Sequence, residues 1–385
     1  MKNLKKVASL MLALGLTVSA LAGCGNASSK DTFKIGGMGP ITGAAAVYGQ
    51  AVMNSAQIAV DEINAAGGIN GYQVEFKFED DEHNAEKAVN AYNSLLDWKM
   101  QLLMGAVTST PCITIVDKTN ADNIFMLTPS GTATEAIAQD NAFRVCFSDP
   151  NQGTASAVYM GEHKLASKVA IIFNSSDAYS SGIKDNFVKE AANQGIEIVA
   201  CEAFTDDTAT DFTTQLQAAA DGNAELIFLP IYYEAASLIL TQAAQKEMTI
   251  PFFGCDGLDG ILALDGFDKS LAEGVLLLTP FSANATDDKT VAFVNKYKEK
   301  CDGVVPNQFG ADAYDAIYII KAAIEKANLT PAASNEEIVE AMKKAMTEMT
   351  FSGITGTDIT WGADGEPNKA PIVVEIVNGE YVILQ

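Results

Sequence analysis

The chain has 385 residues, 48% of them hydrophobic, with 49 acids against 25 bases and a formal net charge of −24. So acidic a surface repels nucleic acid and anionic lipid headgroups, which excludes both as partners of the folded bulk. The length and apolar content suit two domains with separate cores.

At the N-terminus, Lys2, Lys5 and Lys6 precede an apolar run over residues 10–21 that ends in "LAGCG". A positive head, a short apolar stretch and small residues form the pattern of a secretory signal, here residues 1–23. The cysteine after the small pair resembles a bacterial lipobox. That implies Cys24 as the first mature residue and the carrier of a lipid. Residues 24–30, "CGNASSK", then read as a flexible tether. No later run reaches the roughly 18 apolar residues of a membrane span. The expected location is therefore extracytoplasmic, anchored to the membrane by the lipid on Cys24.

Past residue 31, strand and helix patterns alternate. Residues 33–38 read as a strand and 47–66 as a helix, with Val52, Ala56, Ala59, Val60 and Ile63 close to a helical period. Residues 73–79 alternate Val74, Phe76 and Phe78, a strand, and 84–98 form the next helix. Short buried-type strands follow at 102–104 and 124–127, with a helix from Pro111 between them. This order predicts a mainly parallel sheet with helices on both faces. A second series starts after "FSDPNQG". It has strands at 168–173, 197–203, 226–229, 250–254 and 275–278, and helices at 181–194, 211–220 and 234–246. The C-terminal third reads as helices at 292–300, 311–327 and 335–347, then strands at 372–377 and 381–384. "NGE" between those strands is a hairpin signal. These last elements need sheets to join, so the chain crosses between the two units more than once.

The stretch "KIGGMGPITGAAAVYGQ" invites a phosphate-binding reading, but Thr42 stands where a dinucleotide fingerprint needs its third glycine. No Gly-Lys-Ser/Thr follows either. In "GAVTSTPC", Pro111 fits a first helical position and Thr110 an N-cap, with Ser109 at the mouth. Free N–H groups, a positive dipole end and hydroxyls make a seat for a carboxylate. In "TPSGTATEA", Thr132 or Thr134 caps the next helix and Gly131 lets backbone approach a guest. Capping alone explains either loop. Two in succession at strand C-terminal ends point to a ligand site. Tyr232 and Tyr233 read as a strand end whose two side chains face opposite ways, one onto the core. Cys112, Cys146, Cys201, Cys255 and Cys301 are odd in number and widely spaced, which argues for small buried hydrophobes over zinc or dithiol chemistry. With only His83 and His163, and no G-x-S-x-G elbow, the expectation is no metal, no cofactor and no enzyme.

Taken in order, "GPITG" with "YG" after it, "NAAGGINGYQVEF", "GAVTST", "TPSGTATE", "DAYSSG", "FLPIYYEA", "GCDG" and "QFGADAYDA" resemble the leucine/isoleucine/valine-binding group of bacterial amino-acid-binding lipoproteins. The resemblance spans nearly the whole mature chain. It implies the α/β type I periplasmic binding fold, with two doubly wound parallel-sheet lobes joined by a three-strand hinge. The first lobe would take residues 31–150 and 279–358, the second 151–278 and 359–385. A branched-chain or other small apolar amino acid would be clamped between them and delivered, by a monomer, to the permease of an ATP-driven (ABC) importer. By position, Ser109 and Thr132 would hold the α-carboxylate. The Gly131 carbonyl and Asp256 would take the α-ammonium, and Tyr48, Tyr179, Tyr232 and Phe309 would line the cleft. Two departures stand out: His83 and Thr108 occupy positions where relatives carry a disulfide, and Asp256 stands where many have glutamate. The alternative is a sensory protein for an amino acid or small amide, with no transport role.

Overall fold

The computed structural model describes residues 32–384. The expected signal segment, lipid on Cys24 and tether lie outside the described residues. Within them, β1 (Thr32–Gly39), α1 (Ala46–Ala65), β2 (Gln73–Asp80), α2 (Ala85–Asp97), β3 (Leu102–Met104), α3 (Ser109–Ala121), β4 (Phe125–Thr128) and β5 (Ala142–Arg144) build one unit. Its five strands run in the order β2-β1-β3-β4-β5, all parallel. Three glycines of the opening stretch, Gly36, Gly37 and Gly39, pack the sheet. Gly37 and Gly39 lie inside β1, where an added Cβ would fall 2.5 Å from Phe78 and 2.3 Å from Val107.

Next come α4 (Asp149–Glu162), β6 (Lys168–Asn174), α5 (Ala178–Ala191), β7 (Glu197–Phe204), α6 (Thr213–Asp221), β8 (Leu226–Leu229), α7 (Tyr233–Gln245), β9 (Phe252–Gly254) and β10 (Leu276–Thr279). The chain then returns to the first sheet. There α8 (Asp288–Lys300) and α9 (Gln308–Lys326) pack on α1, and α10 (Asn335–Glu348) packs on α9 and β4. It finally rejoins the second sheet as β11 (Ile372–Val377) and β12 (Glu380–Ile383), giving the order β12-β11-β10-β9-β8-β6-β7. Only the β10–β11 and β11–β12 pairs are antiparallel. The hairpin turns through Asn378 and Gly379, both at positive φ as a tight primed turn requires. The chain thus passes between the sheets three times.

Two elements escape the sequence reading, β5 and α4. The string "SDPNQG" looks like a turn, yet it opens a helix of 14 residues. Its Gly153 is a packing residue: a Cβ there would lie 2.4 Å from the Ile183 carbonyl oxygen of α5, so the two helices touch backbone to backbone. The start of α3 is also corrected. Thr108 is its N-cap, two residues before the expected Thr110, and Pro111 is the third helical residue. A proline there is tolerated because first-turn N–H groups lack intrahelical acceptors.

The first and third crossings lie side by side. The Trp361 indole N–H donates to the Arg144 carbonyl at 2.8 Å, and the Arg144 N–H donates to Gly365 at 3.2 Å. Beside them the Lys369 ammonium, itself buried, meets Asp312 at 2.6 Å and Thr355 Oγ1 at 2.8 Å. Both charges are taken out of water, so each depends on the other. Lys369→Met should therefore destabilise the fold by about 3–5 kcal/mol in urea unfolding, and adding Asp312→Asn should recover most of that loss.

Candidate ligand-binding site

The site forms where the C-terminal ends of both parallel sheets face each other, the usual position for ligands in such sheets. From the first unit, α1 carries Tyr48, fully buried, with its ring 4.0 Å from Phe309 and 4.9 Å from Tyr233, centroid to centroid. Its hydroxyl donates to the Gly257 carbonyl and accepts the Tyr233 N–H. The head of α3 carries Ser109, whose Oγ accepts the Ala133 N–H at 3.1 Å and so ties the two hydroxyl loops together. Neither Thr132 nor Thr134 caps a helix. A short 3-10 turn, Thr134–Ile137, follows Ala133 without a side-chain cap. The Thr132 hydroxyl is buried and has no hydrogen-bond partner in the described chain. Gly131 donates its N–H to Thr128, and its carbonyl accepts from Arg144 Nη1 at 2.9 Å, leaving one lone pair for a guest.

The second unit supplies the acid. Asp256 is buried, and its carboxylate accepts the Tyr179 hydroxyl at 2.7 Å. Its N–H donates to Gln152 Oε1 and its carbonyl accepts from Gln308 Nε2, each at 3.0 Å. Tyr179 stacks on Tyr232 with centroids 4.6 Å apart. The expectation that Tyr232 and Tyr233 face opposite ways is corrected. Both lie beyond the end of β8, so strand alternation does not govern them. Both rings pack edge-on against Tyr48, and the Tyr233 hydroxyl accepts the Val47 N–H at 3.2 Å. At the mouth, Thr110 reaches Asp177 at 3.4 Å and the His83 ring meets Tyr232 at 5.3 Å. The two units are closed on one another.

All eight residues expected at the site converge here. Sequence reasoning missed Asp149, Gln152, Asp177 and Gln308. Asp149 is buried at the first position of α4, and neither of its oxygens has a hydrogen-bond partner in the described chain. Its only sequence signal is an acid three residues before a glutamine, hidden in a turn-like string. His83 and Thr108, read as the replaced disulfide pair, do touch: His83 Nδ1 lies 2.8 Å from Thr108 Oγ1. The site therefore offers a helix head with hydroxyls at one pole and carboxylates at the other.

Burial raises the carboxyls here above their ordinary range, Asp256 and Asp81 to about 7 and Asp259 to about 6. The Tyr179 hydroxyl and Gln152 oppose the rise at Asp256. A raised carboxyl keeps in the fold a proton that the unfolded chain releases. Its stabilising contribution is complete below about pH 4 and is lost as pH climbs through 6 to 7. Carboxyls lowered by partners, such as Glu62 and Asp80, titrate below that window. The ligand-free protein should therefore melt about 3 °C or more higher at about pH 5.5 than at about pH 8, as scanning calorimetry would show.

Comparison with known proteins fits this geometry. The family model described as periplasmic binding protein matches residues 32–380. The chain is 29% identical over 329 residues to a Leu/Ile/Val-binding protein homolog of Brucella melitensis, covering 84% of this chain and 86% of that protein. It is 28% identical to the leucine-, isoleucine-, valine-, threonine- and alanine-binding protein of Pseudomonas aeruginosa, over 88% and 89% of the two chains. Among solved structures, the substrate-binding protein LivJ of Streptococcus pneumoniae in complex with isoleucine superposes with a TM-score of 0.81 at 28% identity, covering 92% of this chain and all of that one. The leucine-binding protein LivK of Thermotoga maritima gives 0.81 at 27%, covering 92% and 98%. The two-sheet α/β architecture is the type I periplasmic binding fold, whose business is solute capture and not catalysis, and the chain belongs to the periplasmic binding protein family.

Proposed function

We propose that this is a lipid-anchored, extracytoplasmic amino-acid-binding protein that serves, as a monomer, an ATP-driven importer. Its lobes are residues 31–150 with 279–358, and 151–278 with 359–385. The observation that carries the reading is the convergence of the α3 head and Asp256 in one buried crevice. Opposite poles of that kind match a zwitterion. Ser109 and Thr132 take the α-carboxylate with the free N–H groups of α3. Asp256 and the Gly131 carbonyl take the α-ammonium. Tyr48, Tyr179, Tyr232 and Phe309 surround the side chain, which suits a branched-chain or other small apolar group. The names of the relatives support the same class.

Charge-assisted hydrogen bonds at each pole fix orientation. Burying an aliphatic side chain contributes about 1.5–3 kcal/mol. A total near −8 kcal/mol corresponds to micromolar affinity, roughly what capture requires. The guest touches both lobes only when they are closed, so binding shifts the population toward the form that a permease would read.

A melting-shift panel of the twenty amino acids should single out small apolar ones. At a hundredfold excess over Kd, the stabilisation is about 2.7 kcal/mol. Asp256→Ala should abolish the shift; unchanged calorimetric affinity would reject the ammonium assignment. Deleting the gene should stop uptake of the labelled ligand; normal uptake with intact binding would favour the sensory alternative. Cys24→Ser should release the protein from the membrane fraction, and continued retention would reject the lipid.

A further inference from the structure

We propose that Asp149 and Asp256 together form a paired-acid seat for a primary ammonium, and that a guest entering the seat expels a proton held by the pair. This rests on the amino-acid reading above.

The geometry comes from two helix faces. Helix α4 presents Asp149 and Gln152, three residues apart and so on one face. Helix α5 presents Tyr179 and Gly182 with the same spacing. Gln152 and Tyr179 both hydrogen-bond Asp256. Gly182 lies against Asp149, where an added Cβ would fall 2.9 Å from Oδ2. The same pair of faces therefore holds both acids, and each feels the other's charge. On its remaining side the Asp149 N–H donates to the Thr132 carbonyl at 2.9 Å, which sets its carboxyl beside the Thr132 hydroxyl loop.

This corner is full of unused hydrogen-bonding capacity. Both Asp149 oxygens, Thr132 Oγ1 and Gln152 Nε2 have no hydrogen-bond partner among the described residues. Their residues are 2%, 1% and 0% exposed. A fold does not keep such atoms dry without cost. No Lys or Arg among the described residues forms an ion pair with either acid. Arg144 is spent on the Gly131 and Ala133 carbonyls and on Glu366. The other groups facing the pair are Asp177, Asp312 and Cys255, with the neutral hydroxyls of Tyr48, Tyr179 and Tyr232.

Two carboxylates cannot both ionise in so dry a place, so the pair retains one proton. Burial holds Asp149 well above the carboxylate range; the nearby Thr132 hydroxyl and the Arg144 charge oppose the rise, and neighbouring Asp256 and Asp177 add to it. An ammonium carries three N–H donors. Asp149, Asp256 and the Gly131 carbonyl accept them. The positive charge lets both acids ionise, and the displaced proton goes to solvent. No bond of the guest is made or broken. One acid would balance the ammonium of a zwitterion. The pair sets a stricter demand, for an amine with three donors.

Calorimetry tests this on the wild-type chain, with whichever standard amino acid gives the largest melting shift and with its N-methyl derivative. At about pH 6.5 the apparent enthalpy should differ between phosphate and Tris by the ionisation heat of about one proton. Affinity should rise up to about tenfold per pH unit from about pH 5 to 7. The N-methyl form should bind about tenfold or more weakly, having lost a charge-assisted donor. In Asp149→Asn, checked for folding by its melting curve, the buffer difference should vanish and affinity should fall about tenfold or more. Equal enthalpies in the two buffers for wild type, with a flat pH profile, overturn the paired seat while leaving the amino-acid reading intact. If none of the twenty amino acids binds wild type, the amino-acid reading falls and takes the seat with it.

Discussion

Carboxylates without cations are the constraint on which this molecule turns. Two buried acids behind the crevice are satisfied within the chain. Asp312 has Lys369, and Asp315 accepts the N–H groups of Ile354 and Thr355 and the Thr355 hydroxyl. At the crevice the same fold leaves Asp149 and Asp256 without an ion-pair partner among the described residues. Unpaired acids at that depth favour the approach of a positive charge.

The two-sheet architecture makes that arrangement possible. A parallel sheet ends in loops that open helices, and a helix head is an anion seat at no cost in cationic residues. The first sheet supplies such a head at α3. The second supplies the acid loop after β9. Neither alone could hold both poles of a dipolar guest. Tyr48 links the halves, since its hydroxyl meets the Gly257 carbonyl, one residue past Asp256. Closure and the placing of the acid are in this way a single event. Gln308 adds a second tie, from the head of α9 to the Asp256 carbonyl, close to the crossings about which the lobes would turn.

Local pattern carried the fold well. The strands at 102–104, 226–229 and 372–377 have the limits that the apolar runs suggest. The first two are uninterrupted apolar runs and the third is broken only by Glu375, so local sequence suffices. Caps were less legible. Thr110, Thr132 and Thr134 all look like N-caps, but the chain begins α3 at Thr108 and leaves the Thr132 hydroxyl unbonded. A hydroxyl's use depends on what lies across the crevice, which no local window contains. Helix α4 was lost for a related reason. Asp149, Pro150, Asn151 and Gly153 favour turns in isolation, and only packing against α5 makes that string helical. Asp256 was found through ordered motifs. Asp149, with no motif of its own, needed coordinates.

The mouth of the crevice shows how a lost covalent link is replaced. Glu82 and His83 sit at φ 47° and 53°, an unfavourable conformation for side-chain-bearing residues. Asp80 accepts the Glu82 N–H and Asp81 the His83 N–H, so the loop is held by two carboxylates at the end of β2. That loop delivers the His83 ring to Thr108 and, edge-on, to Tyr232. A disulfide at these positions would tie two loops of the first lobe and nothing else. The histidine ties the same loops with one hydrogen bond, typically about 1 kcal/mol, and adds a contact to the opposite lobe. Rigidity inside one lobe is thereby exchanged for adhesion between two. Such adhesion favours the closed arrangement of the two units.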